Sequence, residues 1–318
     1  VGSEMCIRDS IKGSGIPHVE GELKGLMSPN WWSTLWKKFL GGTLAISMGF
    51  MLGREGPSIQ LGAMSAKGLA KLIKSSRLEK RVLIASGAAA GLSAAFNAPI
   101  AGLLFVVEEI YHHFSRLIWI TALVASLVAN FISLNIFGLK PVLAMPKAMP
   151  FLGLNQYWLL LFLGLFLGCL GYLYEVVILD FHKLYAFLGK WLRLPAHFYG
   201  MIMVAIILPI GYYLPQLLGG GHGLIIALSH QQLPLLTLLF YFLVRFIVSM
   251  FSYGSGLPGG IFLPILTLGA LAGLLFGQTA RQLGLLDQHF LPLFLVLGMA
   301  GYFAAISKAT LNRHDLGD

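Results

Sequence analysis

The sequence predicts an all-α polytopic membrane protein, and three observations support this fold class. Only 11% of the 318 residues are charged, 57% are hydrophobic and the mean hydropathy is +0.79, whereas soluble globular chains carry roughly 25% charged residues. Apolar runs approach or reach the roughly 20 residues that a helix needs to cross a bilayer, for example Leu117–Phe137, Trp158–Leu173, Met201–Leu218 and Leu235–Ser252. No segment alternates with a period of two, so the spanning elements are helices and not the strands of a barrel.

The net charge of +9 comes from bases grouped between the apolar runs. This grouping is typical of cytoplasmic loops under the positive-inside rule, and a solvated face against anionic headgroups fits it equally. We therefore expect the lipid bilayer, and no nucleic acid, as a partner. Cys6 and Cys169 give neither a disulfide framework nor a metal-binding spacing. The grouped bases are Lys67, Lys71, Lys74, Arg77, Lys80 and Arg81, then Lys183, Lys190 and Arg193.

The two ends of the chain differ in character from the rest. Residues 1–11 are largely polar and match neither a signal peptide nor a span, so we interpret them as non-native or artefactual. Residues 312–318 interrupt an apolar segment with polar sequence, and we interpret them as non-native or truncated. The expected transmembrane core is therefore residues 12–311.

An internal repeat divides this core into a first half of about 12–135 and an incomplete second half of about 155–311. Pro57 and Leu61-Gly62-Ala63 recur as Pro264 and Leu268-Gly269-Ala270, at an offset of 207. Two-fold repeats mark many transporter folds, whose substrate sites lie between the repeats at broken helices. Two further matches keep nearly the same spacing: Ala90-Gly91 and Ala94-Ala95 with Ala300-Gly301 and Ala304-Ala305, and Gly13-Ser14-Gly15 with Gly219-Gly220-Gly221.

Three glycine- and proline-rich interruptions predict an anion site. They are residues 13–17 (GSGIP), 53–57 (GREGP) and 256–264 (GLPGGIFLP), and a run that could be helical follows each one. Glycines let the backbone approach closely, and a helix N-terminus adds partial positive charge, so N–H groups can bind an anion there. For each motif taken alone, a helix kink or close helix packing is the alternative interpretation.

Three carboxylates fall inside the apolar core: Glu55, Glu108 and Glu109. An ionisable group at membrane depth is costly and points to function by default. Burial favours the neutral form of a carboxyl group, as a proton carrier requires. The alternatives are a helix-start acid for Glu55 and the polar end of a span for Glu108 and Glu109.

A metal centre near residues 108–113 is a further hypothesis, because Glu109 and His112 have the Glu-x-x-His spacing of di-iron bundles. Such a centre needs a second Glu-x-x-His, and the sequence has none. We therefore interpret His112 and His113 as residues at a helix end. No metal, no cofactor and no enzymatic activity are expected, and an intramembrane metalloenzyme is the alternative.

The three glycine motifs, in this order, resemble the selectivity-filter signatures of the chloride channel/transporter (CLC) family. Residues 87–99 (GAAAGLSAAFNAP), which run into 105–109 (FVVEE), also resemble that family. The similarity extends from about Lys12 to Thr310. It implies an inverted-repeat transporter core with broken and tilted helices, assembled as a homodimer in the bacterial plasma membrane.

The resemblance also implies the residues of the anion path. Ser14 would offer its hydroxyl to a central chloride site, favouring chloride over nitrate, and Ile261 and Phe262 would add backbone N–H groups. Backbone around Arg54 and Glu55 would face an outer site. The full anion-binding set expected on this basis is Gly13, Ser14, Gly15, Arg54, Gly56, Gly260, Ile261 and Phe262.

Chloride–proton exchange is the function that the resemblance favours. Glu55 matches the gating glutamate, Glu109 matches the internal proton-transfer glutamate, and Glu108 would support it. The alternative is a voltage- or pH-gated chloride channel without proton coupling. The family's opening and closing helices would lie outside the matched region, together with the tyrosine that caps the chloride site; Tyr302 does not match its position.

Overall fold

The computed structural model describes residues 11–111, 115–138, 143, 150–191 and 199–314. These residues contain α-helices and two isolated β-bridges but no β-strand, so the all-α prediction is confirmed. A π-helical turn, Val106–Tyr111, follows the fifth helix. The helices are α1 (Ile16–Leu23), α2 (Trp31–Ser47), α3 (Glu55–Leu72), α4 (Arg77–Phe96), α5 (Pro99–Phe105), α6 (Arg116–Phe137), α7 (Trp158–Trp191), α8 (Tyr199–Tyr213), α9 (His222–His230), α10 (Leu235–Gly254), α11 (Phe262–Gln282) and α12 (Leu291–His314).

Five helical stretches of the described residues are long and apolar enough to cross a membrane, and the chain is an integral membrane protein. They cover Arg116–Phe137, Leu154–Tyr185, Leu235–Gly254, Phe262–Gln282 and Gln288–Ser307. Their outward-facing leucines, isoleucines and phenylalanines remain exposed in the isolated chain, as expected for surfaces that meet lipid. The predicted run Met201–Leu218 is shorter as a helix, because α8 ends at Tyr213 and a separate 3-10 turn follows.

The described chain forms two compact units, and each unit contains one repeat and a short segment of the other. The first unit is Val1–Met48, Leu52–Val142 and Gly256–Ile261; the second is Gly49–Met51, Leu143–Ser255 and Phe262–Asp318. Backbone hydrogen bonds explain the exchanged segments. The Gly259 N–H donates to the Gly13 carbonyl within the first unit, and the Gly219 N–H donates to the Gly49 carbonyl within the second.

In the first unit, α3 and α4 form a hairpin that brings the second motif close to residues 87–99. The turn between them ends in a capping box, in which Ser76 Oγ accepts from the Glu79 N–H and Glu79 accepts from the Ser76 N–H. Gly62 and Gly87 meet between the two helices. A Cβ added to Gly87 would lie 3.0 Å from the carbonyl carbon of Gly62 and 2.6 Å from the Ala66 Cβ. Backbone contact of this kind is typical of helix pairs in membranes.

The second unit repeats this packing between α11 and α12. A Cβ on Gly269 would lie 2.6 Å from the Gly298 carbonyl oxygen and 2.9 Å from the Met299 Cα. Gly269 and Gly298 lie 207 positions after Gly62 and Gly91, which themselves pack in the first hairpin. The repeated glycines therefore keep two equivalent helix pairs in close contact.

The Gly269→Ala substitution is expected to lower the free energy of unfolding by about 1–3 kcal/mol, because the added methyl group would press on backbone that cannot rotate away. Thermal unfolding of the purified protein in detergent measures this effect. Gly164→Ala in α7 is the matched control, since no atom lies within 4 Å of its added Cβ. Equal melting temperatures for the two variants would contradict the packing argument.

Candidate functional site

The first motif forms a tight loop that ends at the start of α1. Gly13 and Gly15 have φ angles of +61° and +84°, which L-residues with a side chain rarely adopt. Ser14 lies between them and is buried, and its Oγ accepts from the Ile16 N–H at 3.4 Å. Pro17 occupies the first turn of the helix, where its missing N–H costs nothing. The predicted helix start is therefore present.

Lys38 of α2 holds this loop from behind. Its side chain is 0% exposed, and its ammonium group donates to the carbonyls of Ile11 (3.0 Å) and Gly13 (2.6 Å). A buried cation needs such partners, since desolvation without them is very costly. Lys38 therefore fixes the backbone on one side of Ser14.

The second motif places a buried carboxylate at the start of α3. Glu55 is the first residue of the helix and is only 2% exposed. The preceding Arg54 is exposed, and its guanidinium group donates to the Ala95 carbonyl at 3.3 Å, near the end of α4. The Arg54 side chain thus anchors the motif to the neighbouring helix.

The third motif pairs with the second by two reciprocal backbone hydrogen bonds. The Gly53 N–H donates to the Gly260 carbonyl at 2.6 Å, and the Gly260 N–H donates to the Gly53 carbonyl at 2.7 Å. These glycines are 207 positions apart, the offset of the internal repeat. The Gly259 N–H also donates to the Gly13 carbonyl at 3.0 Å, so the third motif contacts both of the others.

All three motifs meet at Gly56. A Cβ on Gly56 would lie 2.8 Å from the Ser14 Cβ, and a Cβ on Gly260 would lie 3.1 Å from the Gly56 nitrogen. Ile261 follows Gly260 and is half-buried in the same unit, whereas Phe262 begins α11 in the second unit. The first unit therefore brings together seven of the eight predicted anion-binding residues and the Glu55 carboxylate.

Glu108 and Glu109 lie on the π-helical turn Val106–Tyr111, an element that is frequent at functional sites. Glu109 is half-buried, but Glu108 is exposed, so the expected burial of Glu108 is wrong. Two adjacent helical side chains leave the axis in different directions, and only one of them can face the protein interior. His112 and His113, which the metal hypothesis needs, lie outside the described residues.

A family model described as "Voltage gated chloride channel" matches residues 4–313. The chain belongs to this family. The family resemblance inferred from the glycine motifs is thereby confirmed.

The CLC relatives include transporters of known type. The chain is 36% identical over 310 residues to an H(+)/Cl(-) exchange transporter, ClcA, of Salmonella arizonae. The match covers 94% of this chain and 64% of that relative's length. Among solved structures, it matches a slow cyanobacterial Cl-/H+ antiporter with a TM-score of 0.78 and 26% identity, covering 95% of this chain and 79% of that one. A CLC-type fluoride/proton antiporter matches with a TM-score of 0.72 and 24% identity over 92% and 71% of the two chains, which shows the shared fold.

The prediction that the grouped bases of this CLC chain lie in loops is wrong for most of them: Lys67 and Lys71 lie in α3, Arg77, Lys80 and Arg81 in α4, and Lys183 and Lys190 in α7. Lys67 departs from it most clearly. Lys67 is not in a loop: it lies within α3, is buried and forms an ion pair of 2.5 Å with the buried Glu22 of α1. Its ammonium group also donates to the Pro29 carbonyl, and Lys80 lies 3.8 Å from Glu22. This ion pair fixes the end of α1 that lies away from the Ser14 loop.

Proposed function

We propose that this CLC protein exchanges chloride for protons across the bacterial plasma membrane. The observation that carries the proposal is the convergence of the three glycine motifs at Gly56, with the buried Glu55 carboxylate at the start of α3. Backbone N–H groups at a helix N-terminus bind anions without a buried basic side chain in contact. Weak binding of this kind allows an anion to leave as well as to enter.

Chloride would bind among the backbone groups of the site, with the Ser14 hydroxyl as a further donor. Lys38 would keep the Ser14 loop in place, because its side-chain nitrogen donates to the Gly13 carbonyl next to Ser14. The process needs no cofactor and no metal, since only ions move and no covalent bond changes. The ionised Glu55 carboxylate would compete with chloride for the site, and protonation would release it.

Glu109 would pass protons between the aqueous phase and Glu55. Its half-buried position on the π-helical turn gives it contact with both protein and surroundings. Glu108, which is exposed, would support Glu109 by making the local electrostatic potential more negative. The relatives named as exchange transporters and antiporters favour coupled exchange over passive conduction. We expect the assembled protein to be a homodimer.

Passive chloride conduction is the second candidate function, because the same three motifs would serve a channel. Glu109 distinguishes the two, since a channel has no proton path to lose.

The Glu109→Gln substitution is expected to abolish proton movement, because an amide cannot carry a proton. The protein is reconstituted in liposomes, a chloride gradient is imposed, and the external pH and chloride are recorded together. Protons should move against their own gradient with the unaltered protein, and only chloride should move with the variant. Asp180→Asn, at an exposed acid paired with Lys183, is the control and should keep both fluxes. Chloride flux without proton movement in the unaltered protein would leave the channel as the function.

A further inference from the structure

A fully buried arginine in the second unit makes the same pair of contacts that Lys38 makes in the first. Arg245 of α10 is 0% exposed, and its guanidinium group donates to the carbonyls of Leu217 (3.0 Å) and Gly219 (3.0 Å). Lys38 and Arg245 are 207 positions apart, and the carbonyls that they bind are 206 apart. Each repeat therefore uses one buried basic side chain to hold two carbonyls, one just before a glycine loop and one on its first glycine.

The loop held by Arg245 has the backbone of the first motif but not its chemistry. Gly219 and Gly221 have φ angles of +66° and +101°, and α9 begins directly after them. Gly220 occupies the position that Ser14 occupies in the first repeat, so this loop offers no hydroxyl group to an anion. The Gly220 carbonyl instead accepts from Thr267 Oγ1 at 3.1 Å. The loop also holds a segment of the first repeat through a backbone hydrogen bond.

That segment is Gly49–Met51, the part of the first repeat that belongs to the second unit. The Gly219 N–H donates to the Gly49 carbonyl at 2.9 Å, and a Cβ on Gly49 would lie 3.2 Å from the Leu218 side chain. At the other end of the segment, the Met51 N–H donates to Ser252 Oγ at 3.2 Å, within a buried environment. Only three residues of chain, 52–54, separate this anchored segment from Glu55.

The first unit contains a related arrangement, in which the loop accepts the backbone hydrogen bond and does not donate it. The loop held by Lys38 accepts a hydrogen bond from the Gly259 N–H through the Gly13 carbonyl. Gly256 has a φ of +72°, and its counterpart Gly49, 207 positions earlier, has a φ of +82°. In both repeats, a buried basic side chain holds a glycine loop, and that loop is hydrogen-bonded to chain at a filter motif. The first loop bonds to Gly259, inside the third motif, and the second bonds to Gly49, ahead of the second motif.

We propose that Arg245 is a positioning residue for Glu55. It fixes the 217–219 segment, which in turn fixes Gly49–Met51 and hence the backbone from which Glu55 starts α3. This inference rests on the proposed chloride–proton exchange, in which Glu55 must compete with chloride until it is protonated. If the anchored segment loosens, the carboxylate can leave the anion position without a proton, and chloride then passes uncoupled.

The test is the ratio of protons to chloride moved by the protein in liposomes under a chloride gradient. Arg245→Met is expected to lower this ratio about two- to thirtyfold, the range in which mutations away from a ligand alter coupling. Arg245→Lys is expected to retain more of it, because a lysine at position 38 holds two carbonyls in the same geometry. A role in folding alone would lower both fluxes in the same proportion, so an unchanged ratio in Arg245→Met would overturn the proposal.

Ser252→Ala gives a second test that leaves Arg245 in place, because it removes the acceptor for the Met51 N–H. It should also lower the ratio, and it keeps the proposal testable if Arg245→Met does not fold. Ser249→Ala is the matched control, since Ser249 is buried on the same helix but bonds to the Phe246 carbonyl of that helix. An equal fall in the ratio for Ser249→Ala, or no fall for Ser252→Ala, would overturn the proposal.

Arg245→Met in a Glu55→Gln background tests whether Arg245 acts through Glu55, and the unaltered protein tests the exchange function itself. With no carboxylate to position, Arg245→Met should leave the chloride flux of the Glu55→Gln protein unchanged; a further fall would show that Arg245 acts independently of Glu55. If the unaltered protein moves chloride without protons, the exchange function itself fails and the inference with it. If the unaltered protein is coupled and Arg245→Met keeps the same ratio, only the inference fails.

Discussion

Replacing Glu55 by glutamine is expected to abolish proton movement while chloride transport continues. The side chain is 2% exposed at the first position of α3, where the helix N-terminus favours a negative charge. In the proposed mechanism the ionised carboxylate competes with chloride, whereas a neutral amide of nearly the same size would not. The chloride flux of the variant should therefore no longer depend on pH, whereas that of the unaltered protein should rise as Glu55 is protonated.

Recording chloride efflux from liposomes at a series of pH values measures this effect directly. Asp287→Asn is a suitable control, because Asp287 lies outside the three motifs, in the loop that precedes α12. Its pH profile should match that of the unaltered protein. A Glu55→Gln protein that still moves protons against their gradient would remove Glu55 from the proton path.

The fold class and the three motifs could be predicted from the sequence because both depend on local patterns. A span needs only a sufficiently long apolar run. The motif of residues 13–15 needs glycines at positive φ, and the sequence has them there. The family resemblance then added roles for Glu55 and Glu109 that no local pattern contains. The exposure of Glu108 was not predicted, because the sequence shows that two adjacent carboxylates cannot share one face of a helix but not which of them faces outward.

The buried cations could not be predicted in the same way. Lys38 and Arg245 bind main-chain carbonyls, which every residue has, so their acceptors leave no signal in the sequence. The ion pair between Glu22 and Lys67 joins residues of two different helices with no regular spacing. One signal was available: Lys38 and Arg245 are separated by the repeat offset of 207. A search of the repeat for matched charges, and not only for matched glycines, would have found them.

The exchange of segments between the repeats has the same cause. Gly49–Met51 and Gly256–Ile261 each belong to the unit formed mainly by the other repeat. Backbone hydrogen bonds to residues far away in the sequence hold them there. A simple two-part division of the sequence cannot show this exchange. The reciprocal pair of Gly53 and Gly260 shows its consequence, because residues that are equivalent in the two repeats become neighbours in one unit. The meeting point of the three motifs is therefore built from both repeats within the first unit.

The Gly56→Ala substitution is expected to reduce chloride transport about five- to 150-fold, through the close contact of the three motifs. The new methyl group would lie 2.8 Å from both the Cβ and the carbonyl oxygen of Ser14 and must displace the first motif. Overpacking of this kind costs about 1–3 kcal/mol. Here the cost falls on the arrangement of the three motifs that transport requires, and every 1.4 kcal/mol lowers the population of that arrangement about tenfold.

The chloride turnover of Gly56→Ala in liposomes, normalised to the amount of folded protein, measures this effect. Gly164→Ala, whose added methyl group meets no atom within 4 Å, is the matched control and should transport as the unaltered protein does. The loss of chloride transport should also be specific to the anion path. The melting temperature should therefore fall less in Gly56→Ala than in Gly269→Ala, where the methyl group presses between two long helices. Normal chloride transport by Gly56→Ala would mean that the meeting point of the three motifs does not lie on the anion path.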